Sequence, residues 1–195
     1  MTFSKFELAD LYIKKGYSAA RIAKYLSCSE NTINYWLKKH SIPKRNISDA
    51  IYLKCNPDGD PFRFSNPNTL EGAKLLGMGI GLYWGEGSKT DKNSIRLGNT
   101  DPGLINKYIE FLVKICQVNP NKLRFGLQIF SDIDPRVALN YWVKIVGFPR
   151  KQFLPKVIVT PTRGIGSYKK KSEYGVLTVY FHNKKLKNLL MSMLN

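Results

Sequence analysis

Residues 77–88 read GMGIGLYWGEGS, an apolar, helix-like run that is rich in glycine and carries one carboxylate, Glu86. Each glycine inside a helix lowers the stability of that helix by roughly 1 kcal/mol relative to alanine. Repeated glycines in one helix therefore indicate that they serve the fold in another way. Gly77, Gly81 and Gly85 are spaced by four residues and would form one bare stripe along the helix. Because a bare stripe lets a second helix approach closely, we predict a helix–helix interface at these three glycines.

The position of Glu86 indicates a metal site. It stands at the C-terminal end of the predicted helix, where the helix dipole is negative and disfavours a carboxylate. A bound cation would remove that penalty, and two such helices side by side would bring two acids to one shared site. The alternative is a solvated acid at a helix end, which is a common arrangement.

The charge of the chain points to a polyanionic partner. Lys and Arg together number 31 and Asp and Glu 14, which gives a net charge of +17 over 195 residues. Such an excess favours nucleic acid. No apolar run reaches the length of a membrane span, and the N-terminus lacks a signal-peptide pattern. We therefore expect a cytoplasmic protein, associated with the nucleoid in a bacterium or archaeon, and no membrane partner.

The first 46 residues have the pattern of a helix-turn-helix domain. Apolar residues recur at helical spacing over residues 5–15, 19–26 and 30–39. Gly16 ends the first helix, and Ser18 and Ser29 are suited to cap the other two. This segment resembles the DNA-binding domains of resolvases and recombinases. The alternative is a three-helix bundle that binds protein.

In the DNA-binding interpretation, the third helix enters the major groove and the basic segment 42–46 follows the DNA backbone or enters the minor groove. The third helix would direct Glu30, Asn31, Asn34, Tyr35 and Lys38 outward. Lys44 and Arg45 are the cations of the basic segment.

Residues 47–68 are rich in Asn, Asp, Pro and Gly and read as a linker. Helical residues around 47–54 are expected to extend the first domain into this segment. Residues 69–195 alternate between helix-like and strand-like patterns, and we predict a second domain of α and β structure. Its helices are expected at 69–87, 102–116, 135–146 and 184–194. Its strands are expected at 94–99, 122–130, 156–160 and 174–181. The fold class of the whole chain is therefore predicted as α+β.

One face of the predicted sheet is basic. In strand 122–130 the apolar residues alternate with polar ones, so that Lys122, Arg124 and Gln128 share the face that points away from the core. Arg96 and Lys156 extend this face, and a groove for duplex DNA is its natural use. A solvated sheet face is the alternative. In loop 162–172, Lys169, Lys170 and Lys171 are candidate phosphate contacts.

Residues 79–87, GIGLYWGEG, resemble the signature of the LAGLIDADG homing endonucleases through Gly81, Leu82, Glu86 and Gly87. The resemblance covers about residues 69–195. It implies helices packed on one face of a saddle-shaped antiparallel sheet, with the motif helix paired with its twin. One motif per chain implies a homodimer and a near-palindromic site in double-stranded DNA. Trp84 stands where the family often has an earlier Asp.

The resemblance further implies that Glu86 and the carbonyl of Gly85 bind a divalent cation, usually Mg²⁺. Lys89, Gln128 and Lys156 are the candidates to assist hydrolysis. The resulting prediction is a site-specific, Mg²⁺-dependent DNA endonuclease. The alternative is a non-catalytic, DNA-binding transcription regulator on a LAGLIDADG-like scaffold, since some bacterial regulators also resemble this combination of domains.

Overall fold

A computed structural model describes residues 2–161 and 172–194 and divides the chain into two compact units, Met1–Asp60 and Pro61–Asn195. Each unit has its own cluster of buried apolar side chains. The boundary between the units lies inside the segment 47–68 that composition marks as a linker. In the described residues no helix is long and apolar enough to cross a membrane.

The first unit is all-α. Helix α1, Lys5–Ala9, continues as a π-helical turn over Asp10–Lys14 and is followed by α2, Ala19–Tyr25, and α3, Glu30–Lys39. Gly16 has a φ of 68°, which is the left-handed conformation expected at a helix end. The hydroxyls of Ser18 and Ser29 accept from the amides of Arg21 and Thr32, both at 3.1 Å. The three helices and their caps therefore confirm the sequence pattern, apart from the π-helical turn.

A fourth helix, α4, spans Ile47–Cys55 and occupies the beginning of the predicted linker. The side chain of Asn46 caps it by accepting from the amide of Asp49 at 2.8 Å. Although α4 carries four large apolar or aromatic residues, none of its residues is buried. This helix confirms the helical residues expected around 47–54, and the turn-forming residues near position 58 follow it.

The second unit combines helices with one four-stranded sheet, so the α+β class is confirmed. Two short 3₁₀ turns, at Pro120–Lys122 and Arg150–Gln152, interrupt its loops. Its helices are α5, Leu70–Glu86; α6, Pro102–Lys114; α7, Pro135–Val146; and α8, Lys184–Ser192. Its strands are β1, Ile95–Asn99; β2, Arg124–Phe130; β3, Ile158–Thr160; and β4, Val176–Phe181.

The sheet is mixed, so the expectation of a purely antiparallel sheet was wrong. Its strand order is β1-β4-β2-β3. β4 pairs antiparallel with both β1 and β2, whereas β3 pairs parallel with β2. The reason is the connection through α7, which carries the chain back across the sheet before β3 begins, so that β3 runs in the direction of β2.

The core of the second unit lies on one face of this sheet. On β2, Phe125, Leu127 and Ile129 are buried, whereas Arg124 is half-buried and Gln128 is exposed. The predicted alternation along this strand is therefore confirmed. Side chains from all four helices join the buried cluster on the core face, among them Tyr83, Tyr108, Phe111, Trp142, Leu186 and Leu190. The other face of the sheet carries the polar side chains of Arg96, Arg124 and Gln128.

Candidate nucleic-acid interface

Helix α3 presents a polar surface that its own unit does not cover. Its inner residues Ile33, Trp36 and Leu37 are buried, which leaves the opposite side of the helix outward. Within the described residues, the side chains of Asn31 and Asn34 make no hydrogen bond. The outward set predicted from the sequence is exposed or half-buried in full: Glu30, Asn31, Asn34, Tyr35 and Lys38.

The two cations of the basic segment differ in environment. Lys44 is exposed beside α3, on a shallow pocket that Asn34 and Lys38 also line. Arg45 turns towards its own unit, where its guanidinium lies 4.0 Å from the ring centroid of Tyr12 and donates to the carbonyls of Tyr12 and Tyr17. Arg45 therefore fixes the start of α4 against the helix-turn-helix, an intramolecular role that its position in a basic run did not suggest.

Across the outer face of the sheet, two arginines flank a tyrosine in one row. In the strand register, Arg96 on β1 and Arg124 on β2 both lie opposite Tyr180 of β4. The neighbouring row is Gly98, Thr178 and Gly126. The space above its two glycines is filled by neighbouring side chains, since a Cβ atom at Gly126 would come within 2.9 Å of the Tyr180 ring and one at Gly98 within 2.8 Å of the Thr178 hydroxyl. Arg96, Tyr180 and Arg124 together form a cationic strip on this face of the sheet.

Each arginine of this strip is oriented by its neighbours. The guanidinium of Arg96 forms an ion pair with Asp91 and lies 5.6 Å from the ring centroid of Tyr180. Nη1 of Arg124 donates to the carbonyls of Asn121 and Leu123, both at 2.7 Å. These contacts hold the two cations in place, and their remaining N–H groups are the ones that could reach a phosphate.

The other predicted residues of the sheet surface lie along β2 and beside β3. The amide of Gln128 donates to the hydroxyl of Thr160 at 3.1 Å, and Lys156 is exposed just before β3. Lys122 is exposed at the start of β2. Lys169, Lys170 and Lys171 lie outside the described residues.

The glycines of α5 fall on two different faces. A Cβ atom built at Gly79 would overlap the ring of Phe111, because α5 packs against α6 at that point. At Gly77, Gly81 and Gly85, by contrast, no atom of the described residues lies within 4 Å of such an atom. The stripe predicted from the sequence is therefore an open surface of this chain, and its close approach to a second helix stays a prediction.

Large apolar side chains stand on or beside that stripe. Leu70 is 69% exposed, Met78 49% and Trp84 67%. Exposed apolar patches of this kind mark interaction surfaces more often than ordinary solvated ones.

At the end of α5, the chain supplies its own cation. Glu86 is the last residue of the helix and is exposed, and within the described chain it forms no ion pair. The ammonium of Lys89 donates to the carbonyl of Trp84, one of the helix-terminal carbonyls. Lys89 therefore already offsets part of the negative helix end that a metal was expected to neutralise.

The fit to a divalent cation is partial. The described residues contain no group of three or more His, Cys, Asp or Glu side chains that could hold a metal ion. Mg²⁺ is nevertheless commonly bound by one or two carboxylates together with phosphate oxygens and water. An exposed Glu86 with the neighbouring Gly85 carbonyl suits such a site if a second chain and DNA complete the ligands.

A buried lysine beneath this turn was missed by the sequence reasoning. Lys187 of α8 is only 3% exposed, and its ammonium donates to the hydroxyl of Tyr83 at 2.5 Å and to the carbonyl of Ser88 at 2.8 Å. The Tyr83 hydroxyl donates to the same carbonyl at 3.0 Å. Burial lowers the pKa of Lys187 and raises the pKa of Tyr83 to about 12. Together these groups fix the turn that follows Glu86.

The loop after this turn is equally well organised. The carboxylate of Asp91 accepts from the amides of Asn93 and Ser94 at 2.8 and 3.0 Å and from the Ser94 hydroxyl at 2.7 Å. These hydrogen bonds, with the nearby Arg96, lower the pKa of Asp91 to about 2. An ionised Asp91 thus links the loop after α5 to the cationic strip of the sheet.

No protein-family model matches this chain, and the searches of curated proteins and of solved structures found no match either.

Proposed function

We propose that this protein binds double-stranded DNA site-specifically and acts as a homodimer. The observation that carries the proposal is the outward surface of α3, where amide and ammonium groups are left without partners among the described residues of a chain with a net charge of +17. A helix-turn-helix places such a surface in the major groove, with phosphate contacts on either side.

The second unit supplies a further cationic surface for the same ligand. Arg96 and Arg124, held in place around Tyr180, can contact phosphates without first losing much side-chain freedom. Lys122, just before β2, and Lys156, just before β3, add charge to this sheet surface. We therefore expect the outer face of the sheet to lie along the DNA backbone.

The test of DNA binding is selection of bound duplexes from a random library by the full chain, followed by gel-shift titration. Asn31→Ala and Arg124→Gln are expected to weaken binding to the selected duplex. Lys107→Gln is the matched control, because Lys107 lies on α6 and is paired with Glu110 at 2.7 Å. Absence of binding to every duplex at low salt contradicts the proposal.

The homodimer is proposed to form through the glycine stripe of α5. Among the described residues nothing lies within 4 Å of a Cβ atom built at Gly81, so Gly81→Leu should leave the single chain folded while preventing close helix approach. Sedimentation should then report a monomer. Asn140→Leu, which adds the same apolar group to the exposed side of α7, is expected to remain dimeric. A dimer that persists in Gly81→Leu rules out this interface.

Cleavage is the second candidate function, and the exposed Glu86 favours it. In that case Glu86 and the Gly85 carbonyl would hold Mg²⁺, which activates water and stabilises the leaving oxygen in phosphodiester hydrolysis. The side chains proposed to organise solvent are those of Lys89, Gln128 and Lys156. The ammonium of Lys89 already donates to a carbonyl at the end of α5. If Glu86 has no such role, the protein is a non-cutting regulator.

A supercoiled plasmid library incubated with the protein and Mg²⁺ separates these two functions. Linear or nicked product that disappears in Glu86→Gln, with DNA binding retained, establishes the endonuclease. Glu71→Gln, at the opposite end of the same helix, is the matched control and should cut normally. Binding without any cut in the presence of Mg²⁺ or Mn²⁺ establishes the regulator.

A further inference from the structure

From the outward surface of α3 we infer that the DNA site contains A·T base pairs and that Asn31 and Asn34 are the residues that recognise adenine. The inference rests on the proposed DNA binding and specifies which bases the helix reads.

Asn31 and Asn34 are one helical turn apart and share the N-terminal half of α3. Neighbouring polar residues of the helix are already engaged. The hydroxyl of Thr32 is 2.8 Å from the hydroxyl of Ser29, and the ammonium of Lys39 lies 4.5 Å from the ring centroid of Trp36. The two asparagine amides have no such partner within the described chain, so their hydrogen bonds are left for a ligand.

A side-chain amide matches adenine in the major groove. It offers an N–H donor to N7 and a carbonyl acceptor to the exocyclic N6 amine, so that both ends of one amide are satisfied by one base. The N-terminal residues of a recognition helix are those that contact base edges. The position of Asn31 and Asn34 in α3 therefore agrees with their chemistry.

The groups that read guanine are placed less favourably. Arginine makes the commonest specific contact with guanine, and α3 contains none. Lys38 stands in the last turn beside Lys44, which suits a phosphate contact. Glu30 could accept from cytosine, but it also lies in the first turn, where the helix dipole stabilises an acid in any case.

Tyr35 offers a second, independent contact to the same base pairs. It follows Asn31 by one turn, is 58% exposed, and is held edge-on against Trp36 with the ring centroids 5.6 Å apart. A fixed apolar ring in the major groove contacts the 5-methyl group of thymine. The surface thus combines a donor–acceptor pair for adenine with an apolar contact for its partner base.

The test uses the full chain and base analogues. Duplexes selected from a random library are resynthesised with 7-deazaadenine in place of adenine, which removes only the N7 acceptor, or with deoxyuridine in place of thymidine, which removes only the methyl group. We expect 7-deazaadenine at one or two A·T positions to weaken binding about tenfold, because it breaks one of the two hydrogen bonds of a bidentate contact and leaves the amide N–H unpaired. Deoxyuridine should give a smaller loss.

A double-mutant cycle assigns the contact. In Asn31→Ala or Asn34→Ala, the 7-deazaadenine substitution at the matching position should have no further effect, whereas a structural role would leave its effect unchanged. Lys24→Ala, an exposed cation on α2, serves as the control and should retain full sensitivity to the analogue.

The outcomes separate this inference from the proposed function. Failure to bind any duplex overturns both. Tight, selective binding to G·C sites, or to A·T sites at which 7-deazaadenine has no effect, overturns the inference and leaves DNA binding intact.

Discussion

At the scale of single residues, two stacked tyrosines in the core have opposite hydrogen-bonding environments. Tyr83 and Tyr108 lie nearly parallel, 7° apart, with ring centroids separated by 6.3 Å. The hydroxyl of Tyr83 bonds to Lys187 and Ser88. The hydroxyl of Tyr108 is buried and, among the described residues, has no partner. The same chemical change at the two positions should therefore have opposite effects.

We predict that Tyr83→Phe lowers the free energy of unfolding by about 1–3 kcal/mol, because it leaves a buried ammonium with one acceptor fewer. Tyr108→Phe should be neutral or raise it by up to about 1 kcal/mol, because an unsatisfied hydroxyl is removed. Urea unfolding measures both. A destabilising Tyr108→Phe would indicate that this hydroxyl binds an ordered water.

The carboxylate of Asp91 gives a prediction about pH. The pKa of Asp91 is lowered to about 2, first by the amide of Asn93 and then by Ser94 and Arg96. A depressed carboxyl pKa stabilises the fold above the ordinary value, near 4, and this stabilisation is lost as the pH falls towards 2. In Asp91→Asn the free energy of unfolding should be lower at pH 7 and should fall less steeply between pH 4 and pH 2. If the free energy of unfolding of Asp91→Asn depends on pH as in the unmodified chain, these contacts do not stabilise the ionised form of Asp91.

At the scale of elements, α5 offers a matched pair of glycines. Gly79 packs on Phe111, whereas the space around Gly81 is open. Gly79→Ala should destabilise the second unit by about 1–3 kcal/mol, because an aromatic ring must shift within the core. Gly81→Ala should stabilise the isolated chain by about 0.5–1 kcal/mol, the usual preference of a helix for alanine. Thermal unfolding of the two variants distinguishes the faces, and similar effects at both positions would contradict this packing.

Helices were predictable because their signals are local. Ser18, Ser29 and Thr69 each accept a backbone hydrogen bond at the helix start expected from the sequence, and α3 has the predicted bounds. The pairing of strands was less predictable. Alternation along 122–130 predicts which residues of β2 face the core and which face outward. It does not predict the direction of the neighbouring strand β3, because that direction depends on the path of α7.

The site was predictable as a set of surfaces and less so as a set of contacts. Composition and alternation place Arg96 and Arg124 on the outer face of the sheet. They do not indicate that Arg45 bonds to the carbonyls of Tyr12 and Tyr17, since these acceptors are about 30 residues away in sequence. Lys187 reads as an ordinary surface lysine of α8, and only the folded chain brings Tyr83 and Ser88 to it.

At the scale of the whole molecule, the two units carry separate cationic surfaces for what we propose is one ligand. Binding to DNA should therefore weaken steeply with salt, since each neutralised phosphate contributes about −0.9 to the slope of log K against log salt concentration. Lys38→Gln in the first unit and Arg124→Gln in the second should each make that slope about one unit shallower if both units contact the same duplex. A change with only one of them would confine the DNA to that unit.

The exposed position of Trp84 has a practical consequence. The indole of Trp142 is buried and donates to the carbonyl of Tyr174, and Trp36 lies in the core of the first unit. Of the three tryptophans, Trp84, beside the bare stripe of α5, is the one whose indole is mostly exposed to solvent. If a second chain covers this helix, the emission of Trp84 should shift to shorter wavelength as the protein concentration rises and return on dilution. Trp84→Phe should abolish that shift. The chain thus contains its own optical reporter of whether anything covers this helix.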